Sequence, residues 1–346
     1  MARKRRATMQ DIAKAAGVSR TTVSFVLNEI ADANIPENTR QRVLQVARDL
    51  DYTPNAIALN LARGKAMTVG LIVRQTAEQM SIDAFIGQVI LGVMHVVEAE
   101  GYHLLIHAVD PTASGTQTYV ELVRTRKVDG LLISSPLASD PEIKMLHDEG
   151  TPIVVHGAAD LADVPSVDVD NVQGAYAAVK HRVDLGQRRI GHITNAPFNY
   201  TSSRDRCNGY RQALKDSGIA YDTSLVYEGA FTDDSGAAPM RALLDLPDPP
   251  TAVFIGSDMV ALGAVGAIHA RGLHIPNDIS VIGFDDLTFS QYLQPPLTTI
   301  HLPPYDLGRL GGETLLSIIS GTSPDAQRLL LPTEIRVRGT TAAYSK

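Results

Sequence analysis

Eight polar residues stand where short apolar runs of the chain end, and their oxygen and nitrogen atoms could hydrogen-bond a small molecule. They are Ser134, Ser135, His156, Asn195, Ser257, Asp258, Asp285 and Asp286. Each one taken alone is typical of a loop or a helix cap. Because they recur at equivalent positions on successive runs, together they favour a shared ligand-binding cleft.

The runs are rich in β-branched residues and are separated by helical patterns. They read TVGLIV (68–73), YHLLIHAV (102–109), DGLLISS (129–135), PIVVHG (152–157), RIGHIT (189–194), TAVFIG (251–256) and ISVIGFDD (279–286). Strands that alternate with helices form parallel sheets with helices on both faces. Such sheets bind ligands beyond the carboxyl ends of their strands, where the eight polar residues fall.

Sequence patterns of common enzyme sites are absent. The chain has no GxxxxGK[ST] phosphate loop, GxGxxG turn, GxSxG elbow or HExxH pair. Its ten histidines show no metal-ligand spacing with the single cysteine, Cys207. We therefore expect no catalytic activity, no metal and no cofactor.

Length and composition indicate a soluble protein of two or three domains. The chain has 346 residues, and one cysteine excludes an internal disulfide. It has no run of about 18 apolar residues that could span a membrane. The basic start MARKRR is not followed by the apolar stretch of a secretory signal. We expect a cytoplasmic protein with no membrane partner.

Charge is divided unevenly along the chain. Residues 1–65 hold 11 Lys and Arg against 6 Asp and Glu, whereas the remainder holds 20 against 32. A basic head of +5 on an acidic body of −12 is expected when only the head meets a polyanion such as DNA. A solvated basic tail would have the same composition, so charge alone leaves both interpretations open.

The basic head contains the pattern of a helix-turn-helix. Thr8 with Asp11 predicts a capped first helix, Gly17 ends it, and Ser19 can cap a second. The second helix of such a motif can fill a DNA major groove. A third helical stretch, 39–50, has an apolar stripe formed by Val43, Val46, Ala47 and Leu50.

Phe25 lies on the second helix among hydroxyl-bearing residues. At about 100° per residue, one face of this helix collects apolar side chains that should pack on Ile12 and Ala16. That inward face consists of Val23, Val26 and Leu27. Phe25 falls on the opposite face with Thr21 and Asn28, so we expect it to face outward, where its ring could pack on a thymine methyl group.

The segments TMQDIAKAAGVSRTTVSFVLN and TRQRVLQVARDLDYTPNAIALNLARG resemble the lactose repressor (LacI/GalR) family of bacterial transcription regulators. The resemblance continues through KVDGLLISSP, SRDRCNGYRQAL, TAVFIGSDMVALGA, ISVIGFDD and PPLTTIHLP. It implies an all-α helix-turn-helix DNA-binding headpiece, a hinge helix and a two-lobed α/β effector domain. That domain would have parallel sheets and resemble a periplasmic sugar-binding protein. The resemblance also implies a homodimer on a near-palindromic operator.

The resemblance assigns DNA contacts to ten positions. Residues matching those that read bases are Arg20, Thr21 and Phe25. Residues matching phosphate contacts are Thr22, Ser24, Asn28, Tyr52 and Asn55. Leu61 and Ala62 match the hinge residues that enter the minor groove, where the leucine wedges between base pairs. The segment that carries them, 52–65, has Pro54 to start a short helix and Gly64 to end it.

The resemblance also assigns ligand contacts in the effector domain. Arg206 and Asp285 match the most recurrent contacts, and Ser134, Asn195 and Ser257 occupy pocket positions. Phe85 resembles an aromatic residue that packs on the ligand. It also belongs to an ordinary apolar stripe, formed by Phe85, Ile86, Val89, Ile90 and Val93.

Two features depart from the family pattern. Many members have an acidic residue after the strand that reads PIVVHG here, whereas this chain has His156 and Gly157. One contact to a ligand hydroxyl is thus missing or replaced. The tail after Arg338 is too short for an added heptad repeat, which favours a dimer over a coiled-coil tetramer.

We expect three segments: a headpiece at 1–51, a hinge at 52–65 and an effector-binding and dimerisation domain at 66–346. The expected function is a DNA-binding repressor of carbohydrate-utilisation genes. Carboxylate and amide acceptors, an arginine donor and an aromatic face suit a saccharide effector. A nucleobase or nucleoside could use the same residues. A free sugar-binding protein would need a signal peptide and would leave 1–65 unexplained, and an enzyme tethered to nucleic acid would need a catalytic site.

Overall fold

The computed structural model describes residues 7–28, 33–52, 64–110, 119–158, 163–322 and 328–344. The chain divides into two compact units, Met1–Ala66 and Met67–Lys346. The short hinge helix expected to start at Pro54, with Asn55, Leu61 and Ala62, lies outside the described residues. Among the described residues, no helix is both long and apolar enough to cross a membrane.

The first unit contains three helices: α1 (Met9–Ala16), α2 (Arg20–Leu27) and α3 (Glu37–Asp49). Thr8 caps α1 in a reciprocal arrangement with Asp11, as predicted. Gly17 ends α1 with a φ of 65°, a left-handed conformation that glycine adopts without strain. Ser19 then caps α2 through the backbone N–H of Thr22 at 3.0 Å. The expected helix-turn-helix is confirmed.

One apolar cluster holds the three helices together. Ile12, Val23, Val26 and Val43 are each at most 1% exposed, and Leu27 packs against them. The inward face expected for α2 is therefore confirmed. The stripe expected on α3 was wrong at Leu50, which is 39% exposed because the helix ends at Asp49. Leu44 packs on the cluster instead.

The second unit contains two six-stranded sheets, which define a first and a second lobe. In spatial order, the first sheet consists of β11 (Arg328–Leu331), β5 (Ser166–Val169), β4 (Ile153–His156), β3 (Gly130–Ser134), β1 (Thr68–Val73) and β2 (His103–Ala108). The second consists of β12 (Glu334–Arg336), β10 (Thr298–His301), β9 (Ser280–Asp285), β8 (Ala252–Ile255), β6 (Ile190–Ile193) and β7 (Val226–Tyr227). All neighbouring pairs are parallel except β10 with β12.

Nine helices of the described residues belong to this unit. They are α4 (Ala77–Ile82), α5 (Ala84–Ala99), α6 (Val120–Arg124), α7 (Pro141–Asp148), α8 (Asn171–Asp184), α9 (Thr201–Asp216), α10 (Asp234–Leu244), α11 (Asp258–Ala270) and α12 (Pro304–Ile319). Short 3-10 turns lie at Thr223–Leu225 and Thr288–Tyr292. Strands alternate with helices, so the predicted α/β class with parallel sheets is confirmed.

The chain crosses between the lobes three times. The crossings join β5 to α8, β10 to α12, and β11 to β12. Helix α8 packs on strands of the second sheet, and α12 packs on α5 and on strands of the first. Both lobes are thus assembled from separate stretches of chain, with the carboxyl ends of their strands available to line a cleft between them.

Candidate ligand cavity and helix-turn-helix surface

A cavity in the second unit is lined by residues from both lobes. The first lobe contributes Gln75, Asp83, Phe85, His156 and Asp168, and the second contributes Asn195, Arg206, Phe231, Ser257 and Asp285, among others. Most of these residues lie at or just beyond the carboxyl ends of β1, β4, β5, β6, β8 and β9. This is the cleft that the sequence predicted at the strand ends.

Arg206 on α9 occupies the centre of a polar chain in this cavity. Its Nε donates to Oδ1 of Asn171 at 2.8 Å, and its Nη1 donates to the carbonyl oxygen of Gly256. Nη1 also lies 3.5 Å from Oδ1 of Asp285. The guanidinium is stacked over Phe284, with Cζ 3.7 Å from the ring centroid. Because the cation is only 6% exposed, these contacts hold it in a single position.

Asp285 ends β9 in an unusual backbone conformation. Its φ is 117°, a region that residues with a Cβ rarely adopt, and the φ of Asp286 is 59°. Asp286 is held by Arg338 and by Nδ1 of His301 at 3.0 Å. Strain of this kind persists where surrounding contacts impose it, and here it aims the Asp285 carboxyl into the cavity. Burial raises the pKa of Asp285, an effect that Arg206 opposes.

Asp258, one of the eight candidates from sequence, has a different position. It does not line the cavity, and its two carboxyl oxygens accept hydrogen bonds from Leu287 N, Ser290 Oγ and Thr299 Oγ1 at 2.5 to 3.0 Å. Its side chain therefore joins α11 to β10 and to the loop after β9. The expectation of a ligand contact is not met here, because all of its hydrogen bonds are internal.

Phe85 and His156 form an aromatic pair on the first-lobe wall of the cavity. Their ring centroids are 5.7 Å apart and the planes are inclined by 22°. Phe85 also packs against the main apolar core, as its place in the apolar stripe predicted, while its packing on a ligand stays a prediction. Burial lowers the pKa of His156 to about 4, which keeps the imidazole neutral at physiological pH.

Ser134 does not line the cavity. It is fully buried, and its Oγ lies 3.0 Å from Nδ1 of His156. The neighbouring Ser135, with a φ of 57°, lines the cavity instead. The pocket position expected for Ser134 is therefore wrong by one residue, because side chains alternate along a strand and Ser134 is the last residue of β3.

Asn195 and Ser257 line the cavity as expected, and both also have internal partners. Asn195 donates from Nδ2 to Ser202 Oγ and accepts from Ser203 Oγ, each at 3.0 Å. Ser257 caps α11 by accepting from the backbone N–H of Met259 at 3.2 Å. These bonds fix the direction of both side chains before any ligand arrives.

Sequence reasoning missed several buried polar residues of the cavity wall, among them Gln75 and Asp168. Gln75 lies just past β1, beyond the end of the run that was read as a strand. Asp168 lies on β5, a four-residue strand, SVDV, that was not recognised. The sequence around Asp168 indicates a core strand and has no signal that would have found it.

Direct hydrogen bonds also join the lobes across the cleft, apart from the three chain crossings. Gln79 Nε2 donates to the carbonyl oxygen of Ala230 at 3.1 Å, and Tyr200 Oη donates to that of Arg74 at 2.9 Å. The backbone N–H of Ala138 donates to the carbonyl oxygen of Asn199 at 2.8 Å. The described arrangement is therefore one in which the lobes meet.

In the first unit, α2 presents the side chains that the sequence assigned to DNA. Arg20, Thr21 and Phe25 are exposed, and Phe25 is 36% exposed although it is apolar. Thr22, Ser24 and Asn28 are half-buried, and Asn28 Nδ2 donates to Ser24 Oγ at 3.2 Å. Tyr52 packs partly on the apolar cluster of this unit. An exposed phenylalanine beside polar groups suits a surface that meets a partner with both polar and apolar features.

Comparison with known proteins gives the same two parts. Residues 8–55 match the family of bacterial regulatory proteins of the lacI type, and 179–341 match a periplasmic binding protein-like domain. The HTH-type transcriptional repressor CytR of Escherichia coli is 35% identical over 97% of both chains. The HTH-type transcriptional regulator CelR of Thermobifida fusca is 33% identical over 98% of this chain and 99% of its own.

This chain belongs to the LacI family. The expected class of protein, a DNA-binding transcriptional regulator, is thereby confirmed. A lac repressor dimer bound to operator and an anti-inducer matches with a TM-score of 0.84 at 28% identity, covering 98% of this chain and all of that one. A CelR–cellobiose complex matches with a TM-score of 0.72 at 32% identity, covering 97% of this chain and all of that one. The similarity to these two structures therefore covers almost the whole chain.

Proposed function

We propose that this protein represses carbohydrate-utilisation genes and that a saccharide bound in the cavity controls its affinity for DNA. The observation that carries this proposal is the Arg206–Asp285 pair, which lines the same cavity as the Phe85 ring. Carboxylate acceptors, a guanidinium donor and an aromatic face suit a ring with many hydroxyl groups. The solved complex of a relative, CelR, with cellobiose supports the choice of a saccharide.

The proposed ligand contacts are those lining residues that sequence had singled out. They are Phe85, Asn195, Arg206, Ser257 and Asp285. The ligand would be bound and released without chemical change, since the curated relatives of this chain are transcriptional regulators. Recovery of an unaltered saccharide after long incubation with the protein checks this part of the proposal.

We propose that the helix-turn-helix reads a near-palindromic operator as part of a homodimer in the cytoplasm. Arg20, Thr21 and Phe25 would contact bases. Thr22, Ser24, Asn28, Tyr52 and Asn55 would contact phosphates, with Leu61 and Ala62 entering the minor groove. The solved lac repressor dimer on its operator supports this arrangement. The matching division of the chain is a headpiece at 1–51, a hinge at 52–65 and an effector domain at 66–346.

A dimer presents the basic head twice, so its affinity for DNA should fall steeply with salt. Each phosphate neutralised releases counterions, which gives a log–log slope of roughly −0.9 per contact. A flat response between low and physiological ionic strength contradicts the proposed phosphate contacts.

The test of the whole proposal is a gel shift of full-length protein on the DNA upstream of its gene. Titrations are repeated with cellobiose, glucose, cytidine and adenine as probes. A saccharide that changes the affinity for this DNA and leaves random DNA unaffected supports the proposal. A response to cytidine or adenine alone replaces the saccharide by a nucleoside or nucleobase. Equal binding to upstream and random DNA contradicts an operator-binding repressor.

A further inference from the structure

The wall of the cavity contains more carboxylic acids than basic side chains. Of its described lining residues, three are carboxylic acids, Asp83, Asp168 and Asp285, and Arg206 supplies the guanidinium. His156 adds no positive charge because burial lowers its pKa to about 4. The only cation in the described wall is thus already paired with Asp285, and burial raises the pKa of Asp168 to about 7, so this carboxyl is ionised above neutral pH.

Asp168 has one carboxyl oxygen occupied and the other available. Its Oδ1 accepts from the backbone N–H of Val169 at 2.8 Å and from Asn171 Nδ2 at 3.1 Å. Among the described residues, Oδ2 has no hydrogen-bond partner, although the residue is only 5% exposed. Asn171 also accepts from Arg206, so Asp168 is joined to the Arg206–Asp285 pair through one amide.

Gln75 likewise presents an acceptor with no partner. Its Nε2 donates to Asp83 Oδ2 at 2.7 Å, while Oδ1 of Asp83 caps α5 through the backbone N–H groups of Phe85 and Ile86. These bonds fix the orientation of the Gln75 amide. Its Oε1 is buried without any hydrogen-bond partner in the described residues, and the side chain lines the cavity. Such an acceptor gains a bond when a ligand donor reaches it.

We propose that Asp168 and Gln75 are specificity-determining ligand contacts that select an uncharged ligand with O–H or N–H donors facing the first lobe, and that exclude anionic ligands. This rests on the proposed function, since it concerns the effector of the same cavity. Above pH 7, where Asp168 is ionised, phosphorylated sugars and sugar acids would bring a further negative charge next to it. Like charges at such distances repel strongly when water is excluded.

The chemistry distinguishes ligands that are otherwise alike in shape. A neutral sugar and its carboxylated or phosphorylated counterpart offer the same ring to Phe85 and the same hydroxyls to Asp285. Only the charge near the first lobe differs. We therefore expect the neutral member of such a pair to bind at least 30-fold more tightly than the anionic member.

Isothermal titration calorimetry of the full-length protein at pH 8, where Asp168 is mostly ionised, tests this with matched probes. The pairs are glucose with glucuronate, glucose with glucose 6-phosphate, and cytidine with cytidine 5′-monophosphate, so both neutral saccharides and nucleosides are represented. Binding of an uncharged probe with exclusion of its charged counterpart supports the inference. Equal or tighter binding of any anionic member overturns it.

Two variants then test the residues themselves. Asp168→Asn retains the size of the side chain and the bond from Val169 but removes the charge, so the preference for the neutral member should fall at least tenfold. Gln75→Met removes the unpartnered acceptor and should weaken the neutral probe about tenfold. Asp184→Asn is the matched control, because Asp184 lies on the exposed face of α8 in an ion pair with Lys180. An unchanged preference in Asp168→Asn, with normal circular dichroism, contradicts the assignment.

A second readout separates failure of this inference from failure of the proposed function. Calorimetry reports which ligand binds, and a gel shift with the same ligand reports whether binding alters DNA affinity. A neutral ligand that binds without changing DNA affinity contradicts the proposed regulation and leaves the charge selection intact. An anionic ligand that binds and releases DNA contradicts the charge selection and leaves the regulation intact.

Discussion

Ser134 Oγ and His156 Nδ1 lie 3.0 Å apart, on the neighbouring strands β3 and β4. The serine that was expected to touch the ligand is therefore behind the imidazole that lines the cavity. His156 ends β4, and its ring is neutral because burial lowers its pKa to about 4. The hydrogen bond fixes the ring plane against Phe85, so the pair forms a rigid wall.

The first prediction compares the effects of replacing His156 and Ser134 on saccharide binding. His156→Ala should weaken saccharide binding at least tenfold, because it removes the ring that lines the cavity and packs on Phe85. Ser134→Ala should weaken it only about threefold, through looser orientation of the ring. The measurement is calorimetry with the saccharide that changes DNA affinity in the gel shift. Ser139→Ala is the control, because Ser139 lies exposed between β3 and α7. If both variants lose the same saccharide affinity, Ser134 contacts the ligand directly.

The second prediction concerns Asp285. Asp285→Asn retains the volume of the side chain but removes the charge that pairs with Arg206, so saccharide affinity should fall at least 100-fold. Operator affinity without ligand should stay within about threefold of the wild type, because the first unit is untouched. Fluorescence anisotropy with labelled operator measures both. Asp245→Asn, in an exposed pair with Arg271, is the matched control. If Asp285→Asn fails to fold while Asp245→Asn folds normally, the role of Asp285 is structural.

The third prediction concerns Phe25, whose ring is exposed on α2. Replacing a contacted thymine by uracil removes one C5-methyl group and should weaken operator binding by about 1 kcal/mol, or about fivefold. Phe25→Ala should bind the two operators alike while folding normally. Leu50→Ala is the control, since Leu50 is similarly exposed but lies beyond the end of α3. If the wild type does not distinguish uracil from thymine at any position, the ring contacts the protein instead of a base.

The fourth prediction is a pH dependence of stability in the absence of ligand. Burial raises the pKa of Asp168 to about 7, above its ordinary value of 3.8. The folded state then holds a proton that the unfolded state has already lost, so stability falls as the pH rises through 7. Between pH 6 and 8 this amounts to about 1.4 kcal/mol.

Asp168→Asn lacks this titration, and the comparison of the two proteins removes the contribution of every other group. Urea unfolding followed by circular dichroism should show the variant gaining stability relative to the wild type as the pH rises from 6 to 8. A difference in stability between the two proteins that does not change with pH contradicts a protonated Asp168 in the folded protein.

The fifth prediction concerns Arg182 on α8, which is fully buried. None of its three side-chain nitrogen atoms has a hydrogen-bond partner among the described residues, and burial lowers its pKa to about 10. A buried cation without partners destabilises the folded state, so Arg182→Met should raise the free energy of unfolding by about 1–3 kcal/mol. Lys180→Met, two residues away in an exposed pair with Asp184, should change it little. A loss of stability in Arg182→Met would mean that the guanidinium is paired in solution.

The sequence allowed much of the fold to be predicted, because strand runs and caps are local signals. Seven strands were located within one or two residues of their observed bounds. Thr8 and Ser19 cap the starts of the first two helices, and Gly17 ends the first, as expected. Five further strands were missed. These are short or lie at the edges of the sheets, where few apolar residues are needed to bury them.

The cavity wall was harder to predict, because it depends on which face of a strand end turns inward. Ser134 and Ser135 both follow the same apolar run, and a single-residue difference in direction decides which one lines the cavity. Asp168 is surrounded by valines in a short strand, so its sequence context indicates a core strand and gives no sign of a ligand wall. Its role depends on the crossing that follows it, which only tertiary structure reveals.

The hydrogen bonds that join the lobes at Gln79–Ala230 and Tyr200–Arg74 also limit the rate at which a ligand can bind. Because the lobes are joined and most polar residues of the wall are buried, we expect a ligand to enter after these bonds have broken. Association is then gated by opening, and its observed rate levels off at high ligand concentration, at the opening rate itself. A cell that uses this regulator would therefore respond to a sudden rise in effector no faster than the two lobes part.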